Sequence, residues 1–488
     1  MRRFFLTLLV VSLVAVGCSR PGGKPTADSP ASAPLPIQGV AHGDFVIGNP
    51  VTFENLTLFA IASRTARNDD RFITLDEGLA AGTVKIIEMN PFGNADIDDP
   101  FAESTVPDVV EPQTEQNEDV DDPFGGPAAQ PAGDQQVEQI AQAVEESGPL
   151  NETEYEQEVA GDVNQLLVLN TSGKPLYLMP GEVISGGKQD RTIGEEVVIK
   201  SSDQPAPIGV FCVEQGRWQG RSVAQLAELI SVEGVSISAA AGGTGASVEE
   251  VDVTAVAEAA NRGQFVASVG QVSKDVRLAV QAKKAQGKVW ESVGQLNAVV
   301  GNDSASSNLS AVFSKGDIAE NLAKYIERLR SVGETNQIVG VAVAVNGKML
   351  SVDVFESTPL FRKLWPKLLK SYALDAVAAT GAKDDADPAT FCTIDQCLAF
   401  VAAARAGKTE ADKSADGAVV SRTDSQAAAS FAYYDAEVAK ETGIAAGVAT
   451  GGAGFGGGGG FGNVNPAPAN GNNAGTTAQP VHSSILAN

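Results

Sequence analysis

Short apolar runs separated by glycine, proline and polar turn residues recur along this chain, and they predict β-strands. The clearest is IVGVAVAVNGKMLSVDVF at residues 338–355, where two β-rich runs flank Asn346 and Gly347, a pair typical of a type I′ hairpin turn. Further strands are predicted at residues 55–63, 165–170, 176–179, 196–199 and 208–213.

Apolar residues at helical spacing predict helices between these strands. Residues 72–88 are expected to form a short helix that ends at Gly82 and is followed by a strand, and residues 272–300 are expected to be largely helical. A further helix is predicted to begin at Asp317 and to end at Gly333. Strands and helices mix without a regular βαβ alternation, so the expected class is α+β, with a strand-rich N-terminal part and a mixed helix and hairpin C-terminal part.

The charge of the chain is concentrated in one segment. Residues 95–160 hold 19 Asp or Glu and neither Lys nor Arg, which leaves 42 acids against 35 bases elsewhere in a chain whose net charge is −26. Such a segment buries too little apolar surface to offset the entropy of ordering, so we expect a disordered loop that interrupts a domain at residues 40–440. Because no basic stripe offsets the charge, nucleic acid is not an expected partner.

Both ends of the chain are expected to lie outside the folded domain. The first residues, MRRFFLTLLVVSLVAVGC, place two arginines before an apolar run too short to span a bilayer of roughly 30 Å, which is typical of a lipoprotein signal peptide at residues 1–17. Lipidation of Cys18 would anchor the chain outside the cytoplasm, with the outer membrane favoured in a two-membrane bacterium. A secretory signal without lipidation and an uncleaved anchor are the alternatives. Residues 18–39 are predicted to be a disordered tether, and residues 443–488 a disordered Gly-rich tail.

The predicted functional surface lies within residues 166–218. Apolar strand-like runs alternate there with small and charged residues, and so many charges in a buried segment require either pairing or a cleft. The small and charged residues are Glu182, Gly186, Gly187, Lys188, Gln189, Asp190, Arg191 and Glu214.

One hypothesis for this surface is catalysis by carboxylates. Glu182 and Glu214, together with Asp190, are the candidate catalytic residues, because two carboxylates in one recess push their pKa values apart and can act as acid and base. Glycosidic and N-glycosidic hydrolysis use such a pair. The alternative is that Glu182, Asp190 and Glu214 form a buried salt-bridge network with Arg191 and Arg217 that fixes the strands.

Ligand binding is the second hypothesis. Lys188, Gln189 and Arg191 are candidate ligands for a phosphate or carboxylate, with Arg191 offering a bidentate fork. Trp218 is a candidate for stacking on a sugar or base, and Glu88, at the end of a predicted strand, is expected to join the site. A ligand-binding or scaffold domain of the cell envelope is the favoured function, with envelope proteins or a small anionic ligand as partners. A hydrolase of glycosidic or ADP-ribose-like substrates is the alternative.

The histidines and cysteines limit the chemistry further. Of the two histidines, His42 precedes the first strands and His482 falls in the predicted tail, so a Ser-His-Asp device, a zinc site and a bound cofactor are not expected. Cys392 and Cys397 are candidates for a disulfide across CTIDQC, with two unpaired core thiols as the alternative. Cys212 lies in an apolar run and is expected to be a small buried hydrophobe.

Several blocks of the chain point to one family. They are TLDEGLAAGTVKIIE at residues 74–88, PGEVISGGKQDRTI at 180–193, VFCVEQGRW at 210–218, QGKVWESV at 286–293 and the hairpin with the WPKLLKSYALDAV helix after it. Together they resemble the ARG and rhodanese-phosphatase-superfamily-associated protein domain, a bacterial family of unknown function. The association of that family with ADP-ribosyl glycohydrolases implies a link to ADP-ribose or nucleotide chemistry.

Overall fold

The computed structural model describes residues 37–89, 164–214, 221–232, 234–241, 251–282, 285–302, 308–381, 391–414, 416–442 and 479–488. All of these residues belong to one compact unit. Cys18, most of the tether, the acidic segment, Arg217 and Trp218 lie outside these ranges, so the predictions made for them stay predictions. Within the ranges, no helix combines the length and the apolar character that crossing a membrane requires.

The structure contains both strands and helices, which confirms the α+β class. The strands are β1 (Gly39–His42), β2 (Phe45–Gly48), β3 (Val51–Phe53), β4 (Leu56–Ser63), β5 (Ile73–Thr74), β6 (Val84–Glu88), β7 (Gln165–Asn170), β8 (Leu176–Leu178), β9 (Glu182–Gly186), β10 (Arg191–Ile193), β11 (Val197–Ile199), β12 (Ala206–Cys212), β13 (Ser236–Ile237), β14 (Gln264–Gln271), β15 (Ile338–Val345), β16 (Lys348–Phe355), β17 (Lys408–Lys413), β18 (Val419–Asp424), β19 (Ala428–Tyr434) and β20 (His482–Ala487). The helices are α1 (Leu75–Ala80), α2 (Val223–Ile230), α3 (Val253–Asn261), α4 (Lys274–Gln281), α5 (Gln286–Val299), α6 (Leu309–Ser314), α7 (Gly316–Leu329), α8 (Ser331–Glu334), α9 (Thr358–Gly381), α10 (Ile394–Arg405) and α11 (Ala436–Thr442).

A large antiparallel sheet contains the predicted hairpin. Its strand order is β1-β2-β4-β15-β16-β20-β19-β18-β17, with β3 paired to β4. Asn346 and Gly347 join β15 to β16 with φ values of 49° and 71°, the positive pair that a type I′ turn requires, so the hairpin prediction is confirmed.

The last strand of the chain lies inside this sheet and not at its edge. β20 pairs with β16 on one side and with β19 on the other, so each of its edges is hydrogen-bonded. Ile485 and Leu486 are buried among apolar residues on the sheet faces. The prediction of a disordered tail to the end of the chain is therefore wrong for the last residues, because a short strand with two buried apolar side chains completes the sheet.

The second sheet of the domain forms a closed barrel. Six antiparallel strands follow each other in the order β14-β6-β7-β12-β10-β9, and β9 pairs in turn with β14, which closes the ring of hydrogen bonds. β13 extends the barrel sheet beyond β14. Closure removes the open strand edges that would otherwise need to be covered.

Apolar side chains fill the barrel interior. Alternating residues of its strands, including Ile86, Val168, Ile193 and Val210, form one buried cluster with α1 and with the small sheet β11-β8-β5. Because successive residues of a strand point to opposite faces, the residues between them face outwards. The interior is therefore packed with apolar side chains at the end next to α1. Its polar side chains lie at the other end.

Helix α9 joins the barrel to the large sheet. Its apolar residues share one buried cluster with outward-facing residues of the barrel, such as Val266, and with one face of β4 and β15. Ser357 precedes α9 and its hydroxyl accepts the backbone N–H of Leu360 at 3.3 Å, which caps the helix. The opposite face of the large sheet is covered by α10.

Candidate functional site

The GGKQDR turn lies at one end of the barrel, between β9 and β10. Gly187 has a φ of 51°, and a Cβ placed there would lie 2.6 Å from Glu88 Oε1, so glycine is required for this close approach. The same carboxylate oxygen accepts the backbone N–H of Lys188 at 2.8 Å. Glu88 therefore joins the turn from the end of β6, while the Lys188 side chain is exposed to solvent.

Arg191 begins β10, and its side chain lies inside the barrel. Its backbone pairs with Cys212 on one side and with Ile184 on the other, and alternation along β10 puts it on the same face as Ile193 of the interior cluster. We call this end of the interior, formed by Glu88, Gln189, Arg191 and Cys212, the barrel mouth.

The guanidinium of Arg191 is buried without a carboxylate. The residue is 2 % exposed, and NH1 donates to Gln189 Oε1 at 3.0 Å. Among the residues that the structure describes, no Asp or Glu forms an ion pair with it, and Arg191 Nε and Gln189 Nε2 are both buried without a hydrogen-bond partner. The orientation of the Gln189 amide is fixed, since the flipped amide would place NH₂ against the guanidinium.

These unpaired donors carry a free-energy cost. A buried ion without a partner costs several kcal/mol, and buried donors are satisfied in the great majority of folded proteins. Arg191 Nε and Gln189 Nε2 belong to side chains already joined by a hydrogen bond, so both unsatisfied donors lie in the barrel mouth. That arrangement suits an oxyanion with several acceptor oxygens.

The Cys212 thiol shares the barrel mouth but is not a nucleophile there. Burial raises the pKa of Cys212, the positive charge of Arg191 lowers it less, and Glu88 raises it further. The thiol is therefore protonated at neutral pH, which agrees with the prediction of a small buried hydrophobe.

Asp190 and Glu214 meet on the outer side of the barrel. Asp190 accepts hydrogen bonds from Ser185 Oγ at 2.8 Å and from Arg221 NH2 at 2.6 Å, and a third from Ser310 Oγ. Its backbone N–H donates to Glu214 Oε2 at 3.2 Å, which lies 3.7 Å from Arg221 NH2. Both carboxylates are fully buried, so this cluster has the geometry of an ion network that fixes the strands.

Arg221 was not singled out in the sequence. It precedes α2, within a stretch with no strand pattern, and only the fold brings it to Asp190. Burial lowers the pKa of Arg221, but the charges of Asp190 and Glu214 more than offset that effect and raise it. The guanidinium therefore stays charged, and it pairs with two of the three acids that the sequence proposed as catalytic.

Glu182 does not join the other predicted catalytic residues. It starts β9, so it lies at the opposite end of that strand from Gly186, roughly 13 Å away at the usual rise per residue. Its carboxylate accepts from Lys367 Nζ at 2.7 Å and from the backbone N–H of Met179 at 2.8 Å, and Lys367 also pairs with Asp76 at 2.8 Å. The expected grouping of Glu182 with Glu214 and Asp190 is therefore corrected, because β9 carries Glu182 away from the turn.

The comparison with protein families decides the affiliation of the chain. The model of the ARG and Rhodanese-Phosphatase-superfamily-associated Protein domain matches residues 129–240 and 247–444, more than half of the sequence. The chain belongs to this family. The match spans β7 to β19 and so includes the GGKQDR turn, whereas the block at residues 74–88 and the strand β20 lie outside it.

The family name describes an association and no reaction. The chain matches no curated protein and no solved structure. For this family member, the function therefore depends on the chemistry of the site itself.

A second buried polar cluster surrounds His482 in β20. Its Nδ1 lies 3.0 Å from Glu196 Oε1 and its Nε2 lies 3.2 Å from Asp353 Oδ1. Asp353 also accepts from Arg277 NH2 at 2.5 Å and from the Tyr372 hydroxyl at 2.6 Å. The sequence placed His482 in an unstructured tail, and that expectation is wrong because β20 carries it into the core.

The pKa of His482 predicts a pH dependence of stability. Burial lowers this pKa, but Glu196 and Asp353 more than offset burial and raise it above 6.5. The stabilisation is complete below pH 6.5 and is lost as the pH rises through the folded-state value. We expect the difference in unfolding free energy between the parent chain and His482→Gln to fall above pH 6.5, with a slope of at most about 1.4 kcal/mol per pH unit.

Urea denaturation at a series of pH values measures this difference. A difference for His482→Gln that is constant from pH 6 to pH 9 would contradict the assignment of charge to this histidine.

Proposed function

We propose that this chain is a ligand-binding domain and that its barrel mouth binds a small oxyanion. The observation that carries the proposal is the guanidinium of Arg191, which is buried without an acidic partner among the described residues. Gln189 supplies a second unsatisfied donor beside it. A phosphate, sulfate or carboxylate group accepts from such donors and neutralises the buried charge.

The carboxylate-dependent hydrolase receives less support from the geometry. A hydrolytic pair needs two carboxyl groups that face one substrate across about 5–10 Å. Here Asp190 and Glu214 both pair with Arg221, and Glu182 is bonded to Lys367 at the far end of β9. The barrel mouth itself holds one acid, Glu88, which already accepts a hydrogen bond from the GGKQDR turn.

The proposal also includes the location of the chain, at the membrane and outside the cytoplasm. A lipidated Cys18 would hold the domain at the membrane, and the tether that follows would present the barrel outside the cytoplasm. An ADP-ribose-like ligand, which the family resemblance implies, carries phosphates and so falls within the oxyanion class.

Thermal unfolding in the presence of anions tests the proposal. At fixed ionic strength, we expect phosphate, sulfate, citrate or ADP-ribose to raise the unfolding temperature, since a ligand at 100 times its Kd stabilises by about 2.7 kcal/mol. Arg191→Met should abolish this response. The same variant should be at least as stable as the parent chain without anion, because an apolar side chain replaces an unpaired buried charge.

Arg262→Met is the matched control. Arg262 follows α3 with a 54 % exposed side chain, and its ion pair among the described residues is with Glu258 at 3.8 Å, so its loss should change neither stability nor the anion response. The proposal fails if no oxyanion stabilises the parent chain, or if Arg191→Met responds as the parent chain does. Marked destabilisation of Arg191→Met without anion would point to a structural role.

A further inference from the structure

The start of α10 brings two cysteines together. Thr393 and Gln396 form a capping box, in which the Gln396 backbone N–H donates to Thr393 Oγ1 at 3.3 Å and the Thr393 N–H donates to Gln396 Oε1 at 2.8 Å. Cys392 precedes the cap residue and Cys397 is the fourth residue of the helix. Side chains at these two positions pack on each other in helices that begin with a capping box, an arrangement known as a hydrophobic staple.

A third sulfur atom lies beside Cys392. Met349, near the start of β16, places its Sδ 3.4 Å from Cys392 Sγ. Cys392 and Cys397 are free thiols, both fully buried in the cluster between α10 and the large sheet, and Met349 packs against that cluster. The two cysteines are therefore core thiols without a disulfide, which is the second of the two alternatives. The structure adds the thioether of Met349, which the sequence did not predict at this position.

We propose that Cys392, Cys397 and Met349 form a binding site for the soft monovalent cation Cu(I). Two thiols and a thioether are the ligands that favour Cu(I), whereas hard cations take oxygen ligands. The site stands apart from the barrel mouth and does not depend on the oxyanion proposal.

Metal binding at this site releases protons from the two thiols. Each thiol loses its proton when its sulfur bonds to the metal, so one Cu(I) binds as two protons leave for solvent, while Met349 donates a lone pair without a proton change. Affinity should therefore rise with pH, as two protons are displaced for each ion bound.

Anaerobic competition between the full chain and a Cu(I) chelator tests the site. We expect one equivalent of Cu(I) per chain, and X-ray absorption should show a shell of sulfur only. Cys392→Ala and Cys397→Ala should each weaken binding by more than about 100-fold, and Met349→Leu, which conserves the side-chain volume, by about 10-fold. Met89→Leu, which replaces an exposed methionine outside this cluster, should keep the affinity of the parent chain.

The competing outcomes are distinct. Binding that survives both Cys392→Ala and Cys397→Ala overturns the proposal, as does the absence of Cu(I) binding by the reduced chain. A chain isolated with Cys392 and Cys397 joined in a disulfide, seen as a peptide two mass units lighter before reduction, also overturns it. Unfolding curves of Met349→Leu separate loss of a ligand from loss of the fold.

Discussion

Ending the chain after Ala478 is expected to abolish cooperative folding. The deletion removes β20, which pairs along both edges with β16 and β19. Ile485 and Leu486 each contribute about 1.5–3 kcal/mol through burial, and each lost ladder hydrogen bond contributes about 0.5–1.5 kcal/mol. Removal of His482 also leaves Glu196 and Asp353 with one partner fewer. The total is comparable to the whole stability of a domain.

Circular dichroism during a thermal scan is the measurement. The truncated chain should show no cooperative transition, and a synthetic peptide of residues 479–488 should restore one by pairing with the exposed edges of β16 and β19. Deletion of Asn488 alone, which is exposed and follows β20, is the control and should change the transition little, because it removes two hydrogen bonds, to Ser425 and Ala427, and no buried apolar side chain. A truncated chain that melts like the parent chain would show that β20 adds nothing to the sheet.

Lys367→Met is expected to destabilise the chain by about 3–5 kcal/mol, because it leaves a buried carboxylate without its cation. Lys367 is buried in α9 and bonds to Glu182 and Asp76. Burial lowers the pKa of Lys367, but the two acids raise it more, so the ammonium stays charged. The double variant with Glu182→Gln should recover a large part of the loss, since it removes the unpaired charge as well.

Urea denaturation of the single and double variants measures the coupling. Lys363→Met lies one turn earlier on α9 and also removes two ion pairs, with Asp70 and Glu77, but those acids are about half exposed. It is the matched control and should cost about 1 kcal/mol or less. If Lys367→Met costs no more than Lys363→Met, Glu182 does not depend on its lysine and its role as a structural ion is wrong.

The fold was predictable where the pattern is local. The hairpin at Asn346 and Gly347 and the strand β7 follow from alternation and turn chemistry, and the structure has both. β9 and β14, which close the barrel, were missed, because EVISG and QFVASVGQ mix polar and small residues that carry no simple alternation. Barrel closure pairs β9 with a strand some eighty residues later, and such pairing leaves no local signal.

The candidate site was predictable in part for the same reason. The sequence predicted one site formed by the GGKQDR turn and the residues at the end of β12. These segments do meet, with Arg191 opposite Cys212 and Asp190 bonded to Glu214. The sequence analysis placed Asp190 and Arg191 in the same site. In the structure they face opposite sides of the barrel, because they are neighbours at the start of one strand. That separation changes the chemistry, since within the described ranges it leaves the acids paired and Arg191 without an acidic partner.

His482 shows the limit more sharply. The strand HSSILA follows a long Gly-rich stretch and holds only two large apolar residues, so composition favoured a tail. Its place between β16 and β19 is set by long-range pairing and by two buried acids, Glu196 and Asp353, that lie far away in the chain.

The nuclear magnetic resonance signal of the Arg191 Nε–Hε group tests the anion site most directly. Arg191→Lys assigns the resonance by removing it. If the barrel mouth binds an oxyanion, addition of phosphate shifts this resonance along a saturable one-to-one curve, because Hε gains a charged acceptor, and the Arg262 signal does not move. A resonance that stays fixed while phosphate, sulfate and carboxylates reach millimolar concentrations would contradict the proposed site.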